Sequence, residues 1–359
     1  MGQYLLRRTL SGVGVAFGAV LASILLIDLV EQMRTLGSRT DLSLLEAFKL
    51  TLMKTPMLVE QTLPFIVLAG VMMATIGLNR SSELVAIRAS GVSAWRFLLP
   101  AGVVGLALGA ITVTTVNPLG ASFYLEFEAS RADLRTSDGD SAPPNGIWIR
   151  QGDGDNQVVI HADRFGGVGS TLENATFFIF DVQSEALRFV RRIRAARAEL
   201  KPGFWQLTDV DEAAPAQPPL HHEEITLPSQ LEVNELVDSL VTPSTLSFWR
   251  LPGFISEARK AGFAPTRYEL KWHSLIAYPV MLAAMAILGA VFSLRLQRLG
   301  GLAQWGAIGV ALGLFLFFYS QLAGAFAITQ SVPTIVAAWS APIAGLSIGL
   351  AMVAFMEDG

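Results

Sequence analysis

The most informative absence in this sequence is cysteine, which does not occur among its 359 residues. The chain therefore has no disulfide framework, no thiolate nucleophile and no thiolate metal site. Charged residues are scarce as well, at 16%, where soluble domains hold about a quarter. The formal net charge of -4 is too small to indicate nucleic acid or another polyanionic partner. Apolar residues are abundant instead, and a 52% hydrophobic share with a mean hydropathy of +0.48 indicates an integral membrane protein.

Signatures of catalysis are also missing. The sequence has no GxxxxGK[ST] phosphate-binding loop, no HExxH zinc motif and no GxSxG nucleophile turn. His221 and His222 stand beside two glutamates in what the pattern predicts to be a polar loop, where adjacent side chains point in different directions, so we expect no metal site. His273 beside Trp272 is typical of an anchor at a membrane interface. We therefore expect the chain to be no enzyme.

Apolar stretches recur along the chain, each close to the roughly 20 residues that a helix needs to cross a bilayer. The first follows Arg7 and Arg8 and is too long for a signal peptide, so we expect an uncleaved span. Residues 35–55 are amphipathic and predict a short interfacial helix that leads into the second span. The dipeptide Asn117-Pro118 is expected to end the third span. The six predicted spans are 10–29, 57–78, 97–116, 274–294, 302–328 and 332–355.

Residues 118–267 differ in composition from the rest of the chain. They are rich in Asp, Arg, Gly and Pro, and they contain no stretch expected to span a membrane. Short runs of apolar and aromatic residues between turn signals predict an antiparallel sandwich or jelly-roll. A helix is predicted at 251–261, where the chain returns to the membrane. The predicted organisation is three spans in 1–117, an all-β domain in 118–267 and three spans in 268–359. The predicted strands are 146–150, 158–162, 175–181, 187–193 and 204–210.

Orientation follows from lysine and arginine in the short loops. Arginines of the amino terminus, of the loop after the second span and of the turn at Arg295 fall on one side, which we expect to be cytoplasmic. Basic residues between positions 34 and 54 oppose this orientation. Six spans place both termini on one side, so we expect both termini in the cytoplasm and the large insertion outside.

The polar stretch between the second and third spans, residues 79–98, contains the signals of one short helix. Ser81 or Ser82 can cap its start, Glu83 lies in the first turn where the helix dipole favours a carboxylate, and Gly91 supplies a left-handed end. Two interpretations remain open from the pattern alone. The stretch is either a helix on the bilayer surface that binds a soluble partner, or an ordinary turn with solvated charges.

Glycines four residues apart recur in the predicted spans, and such pairs let helix backbones approach closely in lipid. Their recurrence favours a tightly packed bundle or a partner subunit. The pairs are Gly14 and Gly18, Gly105 and Gly109, Gly309 and Gly313, and Gly345 and Gly349.

Six spans, a large insertion after the third and the loop sequence LNRSSELVAIRASGVS together resemble the LptF/LptG permease family of the lipopolysaccharide-export ABC transporter. The resemblance covers the whole chain, and further patches are most similar to the LptG branch. These patches are IDLVEQMRTLG at 27–37, GIWIR at 146–150 and FISEARKAGFAPTRYELKWHS at 254–274.

The resemblance implies a Gram-negative inner-membrane protein that pairs with an LptF-like permease to form a cavity for lipopolysaccharide. It implies two copies of an LptB-like ATPase on the cytoplasmic side and an LptC-like bitopic protein that meets the periplasmic jelly-roll. No cofactor is then expected in this chain, since ATP and Mg²⁺ would be bound by the ATPase.

The same resemblance makes the stretch at about 82–90 a coupling helix that sits in a groove on the ATPase, with Ser82, Glu83, Leu84, Ile87 and Arg88 as its contact residues. For the substrate, it implies a basic head-group contact at the outer end of the first span. Arg34 stands there, and its acidic neighbours Asp28 and Glu31 argue either against a simple phosphate clamp or for a lipid A with altered charge. The residues expected to meet the substrate are Arg34, Thr35, Phe65, Leu68 and Phe317.

Two other classes of function fit this sequence less well. An enzyme acting on lipid would need a buried nucleophile, metal or carboxylate pair, which the sequence does not display. A membrane protein that uses its outer domain only for adhesion would have no need of a capped helix in the loop at 79–98.

Overall fold

A computed structural model describes residues 2–35, 43–81, 83, 86–87, 93–136, 147–152, 156–165, 171–183, 186–215, 218–229, 231, 242–260, 264–295 and 302–357. Contacts divide the chain into a helical unit of Met1–Arg131, Pro243–Pro252 and Thr266–Gly359, and a second unit of Ala132–Thr242 and Gly253–Pro265.

Eight α-helices are described in these residues, and six stretches of them are long and apolar enough to cross a membrane. The prediction of six spans is therefore confirmed at the level of length and composition. The third of these stretches runs from α3 through a π-helical turn into α4, as Ala94–Arg131. The helices are α1 (Gly2–Thr35), α2 (Leu44–Arg80), α3 (Ala94–Ile111), α4 (Asn117–Thr136), α5 (Leu251–Lys260), α6 (Thr266–Arg295), α7 (Leu302–Ile328) and α8 (Thr334–Glu357).

The second span begins earlier than the sequence pattern indicates. Ser43 and Glu46 form a reciprocal cap, in which the Glu46 amide donates to the Ser43 hydroxyl and the Ser43 amide donates to the Glu46 carboxylate. From this cap α2 runs unbroken for 37 residues through Pro56 and Pro64. Residues 44–55 of the predicted interfacial helix are thus continuous with the second span, because they are the beginning of α2.

The expected end of the third span at Asn117-Pro118 is also wrong. A π-helical turn, Thr112–Val116, joins α3 to α4, and the Asn117 amide donates to the Thr112 carbonyl across it. Proline lacks an amide hydrogen and normally interrupts a helix because the carbonyl four residues earlier loses its partner. The wider turn and outside donors satisfy the backbone here, so the helix continues to Thr136.

Helix α6 lies at the centre of the bundle, with 72% of the residues in its apolar stretch buried. It packs against α3 at Gly109, where an added Cβ would lie 2.4 Å from the Pro279 Cα. Helices α1 and α2 cross closely at Gly70, where an added Cβ would lie 2.4 Å from the Val13 Cα. Such contacts bring helix backbones close together and are typical of membrane bundles.

The second unit contains a six-stranded antiparallel sheet whose strands follow chain order from one edge to the other. Each of the five predicted strands is present, and each is longer than predicted. A sixth strand forms at the carboxyl side, where the sequence had predicted no strand. The strands are β1 (Ile147–Gly152), β2 (Asn156–Phe165), β3 (Thr171–Gln183), β4 (Ala186–Lys201), β5 (Phe204–Ala213) and β6 (Leu220–Pro228).

One face of the sheet forms an apolar core, because alternate residues on each strand point to the same side. Ile160, Phe177 and Ile193 are partners in register on three adjacent strands and are fully buried. The Phe177 and Trp205 rings meet edge to face with centroids 5.6 Å apart. Gly203 has a φ of +86° in the tight turn between β4 and β5, a conformation that glycine adopts without strain.

Candidate functional site

The loop that follows α2 is tied to the start of α1 by hydrogen bonds. The Tyr4 hydroxyl donates to Oε2 of Glu83 at 2.6 Å, and the Ser81 hydroxyl donates to Oε1 at 2.9 Å. The hydrogen bond from Tyr4, followed by that from Ser81, holds the pKa of the Glu83 carboxyl below its usual range. Glu83 is therefore an ionised acceptor with both oxygens engaged inside its own chain.

Two of the five residues expected to contact an ATPase are described. Glu83 and Ile87 are both helical, and Ile87 is only 9% exposed within the apolar core that also contains Leu5 and Leu78. Ala86 is exposed. The remaining three, Ser82, Leu84 and Arg88, lie outside the described residues, and the assignment of all five to a partner stays a prediction.

The far end of α1, about 45 Å along the helix from Tyr4 at 1.5 Å per residue, carries the predicted head-group residues. The Arg34 side chain is 77% exposed and lies 3.2 Å from the Glu31 carboxylate. The Thr35 hydroxyl donates to the Glu31 carbonyl at 2.9 Å. An exposed pair of this kind is weak, so the guanidinium of Arg34 remains accessible to an anion.

A buried ion pair joins α1 to α2 near this end. The Lys54 ammonium lies 2.6 Å from Oδ1 of Asp28, whose side chain is only 7% exposed. The Gln32 amide nitrogen is 3.3 Å from the other Asp28 oxygen. Charges inside a membrane bundle are costly unless paired, and this pairing explains how an aspartate is accommodated between two apolar helices.

A larger polar cluster centres on Glu60 of α2. Its carboxylate binds the Lys271 ammonium of α6 at 2.9 Å through one oxygen and accepts from the Asn117 amide at 2.9 Å through the other. The Asn117 side-chain oxygen in turn accepts from the Phe248 backbone amide at 2.9 Å. Residues of three helices thus meet at one carboxylate, and Asn117 connects the segment before α5 to it.

Two prolines explain why further polar side chains gather at this place. Pro64 has no amide hydrogen for the Glu60 carbonyl four residues earlier, and the Tyr278 hydroxyl donates to that carbonyl at 2.5 Å. Pro118 likewise frees the Thr114 carbonyl, to which the Trp249 indole donates at 3.2 Å. Side chains from elsewhere in the helical unit replace the missing helix bonds, as membrane proteins require.

The predicted apolar substrate residues have different surroundings. The Phe65 ring of α2 and the Phe317 ring of α7 meet edge to face, with centroids 5.3 Å apart, and both are partly exposed. Leu68 is 1% exposed and packs in a core with Met285 and Leu316. The first two therefore border a surface, whereas Leu68 lies in the packed interior of this chain.

An apolar groove of about 310 Å³ lies elsewhere in the helical unit, among α3, α6 and α8. None of the predicted substrate residues borders it. Its lining includes Trp95, Leu99, Val103, Val280, Leu346 and Leu350.

The two adjacent histidines lie on strand β6, so the predicted polar loop is wrong at this place. Nδ1 of His221 lies 3.0 Å from the Asp211 carboxylate on β5, and this hydrogen bond raises the pKa of His221. His222 lies on the opposite face, 3.8 Å from Glu212. Within the part of the chain that the structure describes, no three side chains of histidine, cysteine, aspartate or glutamate stand close enough to hold a metal ion.

Sequence reasoning missed Tyr4, Lys54 and the cluster of Glu60, Asn117 and Lys271. Charged residues inside apolar helices could have indicated that such polar clusters exist, because a buried carboxylate in a membrane bundle requires a cation or a hydrogen-bond donor nearby. The signal does not identify the partner, since each pair here joins residues that are far apart in the chain.

Comparisons with known proteins agree with this architecture. The sequence model described as lipopolysaccharide export system permease LptF/LptG matches residues 3–354. The chain is 24% identical over 320 residues to the lipopolysaccharide export system permease protein LptG of Escherichia coli (strain K12), covering 87% of this chain and 86% of that protein. It is 25% identical over 335 residues to the LptG protein of Haemophilus influenzae, covering 89% and 90%. The chain therefore belongs to the LptF/LptG family of lipopolysaccharide export permeases.

Proposed function

We propose that this chain is a permease subunit of an ABC transporter that extracts lipopolysaccharide from the periplasmic leaflet of the inner membrane and passes it toward the outer membrane. The family match over residues 3–354 carries this proposal. The LptG role is favoured over the LptF role because the two relatives described above are both LptG proteins.

A second permease subunit is proposed to pack against α1 and α7. Only 17% of the residues in the apolar stretch of each helix are buried within this chain, against 61% for α2. Gly14 and Gly18 support the same contact surface on α1, because among the described residues no atom other than the nearby backbone of α1 itself lies within 4 Å of where a Cβ would stand at either position. A partner helix could approach this glycine face closely.

The substrate cavity is proposed to form between the two permeases, beside α1, α2 and α7. Phe65 and Phe317 would meet acyl chains there, with Leu68 supporting them from the interior. Arg34 and Thr35 at the end of α1 would meet the anionic head group. The high exposure of Arg34 supports this role, since a guanidinium can make charge-assisted hydrogen bonds to phosphate.

The remaining partners are proposed from the family. The loop after α2 would face the cytoplasm, with both termini, and contact an LptB-like ATPase that binds ATP and Mg²⁺. The six-stranded sheet would be a periplasmic jelly-roll that meets an LptC-like protein. This chain would be non-catalytic and would respond to closure of the ATPase dimer by changing the volume of the cavity.

Affinity purification of the tagged chain from its native membrane, with mass spectrometry of proteins and lipids, tests the proposal. We expect an ABC ATPase, a second six-span permease and lipid A species to be recovered. Recovery of the chain alone, from a preparation in which another membrane complex survives intact, would overturn the transporter function and leave adhesion as the alternative.

A further inference from the structure

We propose that the apolar groove among α3, α6 and α8 holds one acyl chain of an anionic phospholipid whose head group meets Arg96. This lipid belongs to the leaflet on the side of the loop after α2. It is distinct from the proposed substrate, whose cavity lies beside α1, α2 and α7. The inference goes beyond the proposed function and does not depend on it.

The groove exists because α3 and α6 move apart toward the start of α3. Beyond the close contact at Gly109, their backbones also touch at Gly105, where an added Cβ would lie 2.6 Å from the Leu282 carbonyl oxygen. One turn nearer to the start of α3, an added Cβ at Gly102 would meet only the Ile287 side chain, at 3.6 Å. The space is therefore wedge-shaped, closed near the middle of the bundle and open toward the loop after α2.

The dimensions of the groove are those of one hydrocarbon chain. Its lining on α3 runs from Trp95 to Leu106, about 16 Å at 1.5 Å per residue. This length is close to half of the ~30 Å hydrocarbon thickness of a bilayer, so the groove extends through one leaflet. A volume of about 310 Å³ over that length gives a cross-section of roughly 20 Å². One extended acyl chain has a cross-section of this size, whereas a helix about 10 Å wide is much too large.

The lining of the groove consists of a buried floor and an exposed rim. Leu98, Ala283 and Val353 belong to the floor, and each is at most 5% exposed. Leu99 and Leu350 belong to the rim and are 66% and 37% exposed. Because the lining is entirely apolar and aromatic, the part of a ligand that lies in the groove must be hydrocarbon.

The open end of the groove carries a positive charge. Arg96 is exposed and lies on the same helical face as Leu99 and Val103, which line the groove three and seven residues later. Side chains of a helix tilt toward its amino end, so the guanidinium lies on the side of the membrane surface. Among the described residues no ion pair involves Arg96. Basic residues between membrane helices at this depth bind lipid phosphates, and the adjacent Trp95 is typical of the same boundary.

The first test measures lipid binding to the purified chain by native mass spectrometry and thermal melts, with phosphatidylglycerol and phosphatidylcholine as probes. We expect one phosphatidylglycerol per chain to survive delipidation in detergent. Gly102→Leu places a side chain in the groove and should abolish this retention. Arg96→Gln should weaken phosphatidylglycerol binding about fivefold, the scale of one basic residue at an anionic surface, and leave phosphatidylcholine binding unchanged.

Two matched controls separate this site from general lipid binding. An added Cβ at Gly324 of α7 would meet only the Leu270 side chain, at 3.5 Å, so Gly324→Leu is sterically similar to Gly102→Leu and should retain the lipid. Arg7 is an exposed arginine near the start of α1, and Arg7→Gln should weaken binding by less than about twofold. Equal losses within either pair of variants would overturn the proposal. The arginine pair decides the matter if Gly102→Leu does not fold.

The second test identifies the occupant of the groove in the native membrane. A photoreactive residue in place of Leu99 on the rim should form adducts of phospholipid mass. A peptide adduct would show that a partner helix covers the groove, and a lipopolysaccharide adduct would make the groove part of the substrate path, so either result would overturn the proposal. Neither test measures transport. Failure of the proposed function, seen as a chain that purifies without an ATPase, would therefore leave both measurements unaffected.

Discussion

Replacing Lys271 with methionine is the sharpest test of the polar cluster at Glu60. The change keeps the length and apolar character of the side chain and removes the cation that lies 2.9 Å from the carboxylate. Glu60, with a side chain only 13% exposed, would retain the hydrogen bond from the Asn117 amide but no cation at 2.9 Å. We expect Lys271→Met to lower the free energy of unfolding substantially, because it leaves a charge buried without its counter-ion.

The magnitude follows from the burial of the two partners. Breaking a fully buried ion pair costs about 3 to 5 kcal/mol. Since the Lys271 side chain is 30% exposed, water screens part of the interaction, and we expect a loss of about 2 to 3 kcal/mol. A loss of this size changes the folded-to-unfolded ratio about 30-fold or more.

The assay is equilibrium unfolding in mixed detergent micelles, with two comparison variants. Glu60→Gln combined with Lys271→Met removes both charges while glutamine still accepts from Asn117, so it should cost about 1 kcal/mol. Arg34→Met breaks a pair whose side chains are 77% and 46% exposed, and should cost less than about 1 kcal/mol. If Lys271→Met is no more destabilising than Arg34→Met, or if the double variant is as unstable as the single one, then Lys271 does not stabilise the buried Glu60 charge.

Three further predictions concern helix packing, substrate contact and the pH dependence of stability. Gly70→Ala should lower the free energy of unfolding by about 1 to 3 kcal/mol, because its Cβ would meet the α1 backbone. Gly18→Ala should be neutral, because a Cβ there meets no neighbouring helix among the described residues. Equal stabilities of the two variants in micelle unfolding would contradict this prediction. Leu68→Ala should lower the free energy of unfolding by about 2 to 4 kcal/mol in the same assay, because it leaves a cavity in the core. Phe317→Ala should instead chiefly reduce crosslinking to lipid. If Leu68→Ala reduced crosslinking more than Phe317→Ala does, Leu68 would lie at the substrate. The hydrogen bond with Asp211 on β5 raises the pKa of His221 above 6.5. The contribution of this pair to the stability of the sheet is therefore fully present below pH 6.5 and is lost as the pH rises through the raised pKa. His221→Gln should remove this pH dependence of stability in thermal melts recorded across that range. An unchanged pH profile in the variant would show that the pair of His221 and Asp211 does not cause the dependence.

The candidate site was only partly predictable from sequence, and Glu83 illustrates why. The capping pattern predicts its place in the first turn of a loop helix. Its hydrogen bond to Tyr4 is not predicted, because nothing in the local pattern relates residues 79 positions apart. The pairing of Asp28 with Lys54 was missed for the same reason, although the cost of burying a charge indicates that some partner must exist.

The errors in secondary structure have local causes. The Asn117-Pro118 dipeptide is a normal signal for the end of a helix, yet the π-helical turn and the Trp249 indole satisfy the freed backbone groups, so the helix continues. Strand β6 was missed because its residues are mostly exposed, and an edge strand exposed on both faces shows little alternation between apolar and polar positions.

The sequence by itself determined the membrane class, the six spans, most of the strands and the family, because each depends on composition, on runs of apolar residues or on a continuous motif. The tertiary structure decided which charges are paired, which glycines pack inside the chain and which way the loop after α2 faces. These features depend on contacts between helices that are distant in sequence. A hydropathy pattern indicates how long a helix is, but it does not indicate which face of the helix packs against which neighbour. The surfaces left open on α1 and α7 are likewise visible only once the other helices are in place.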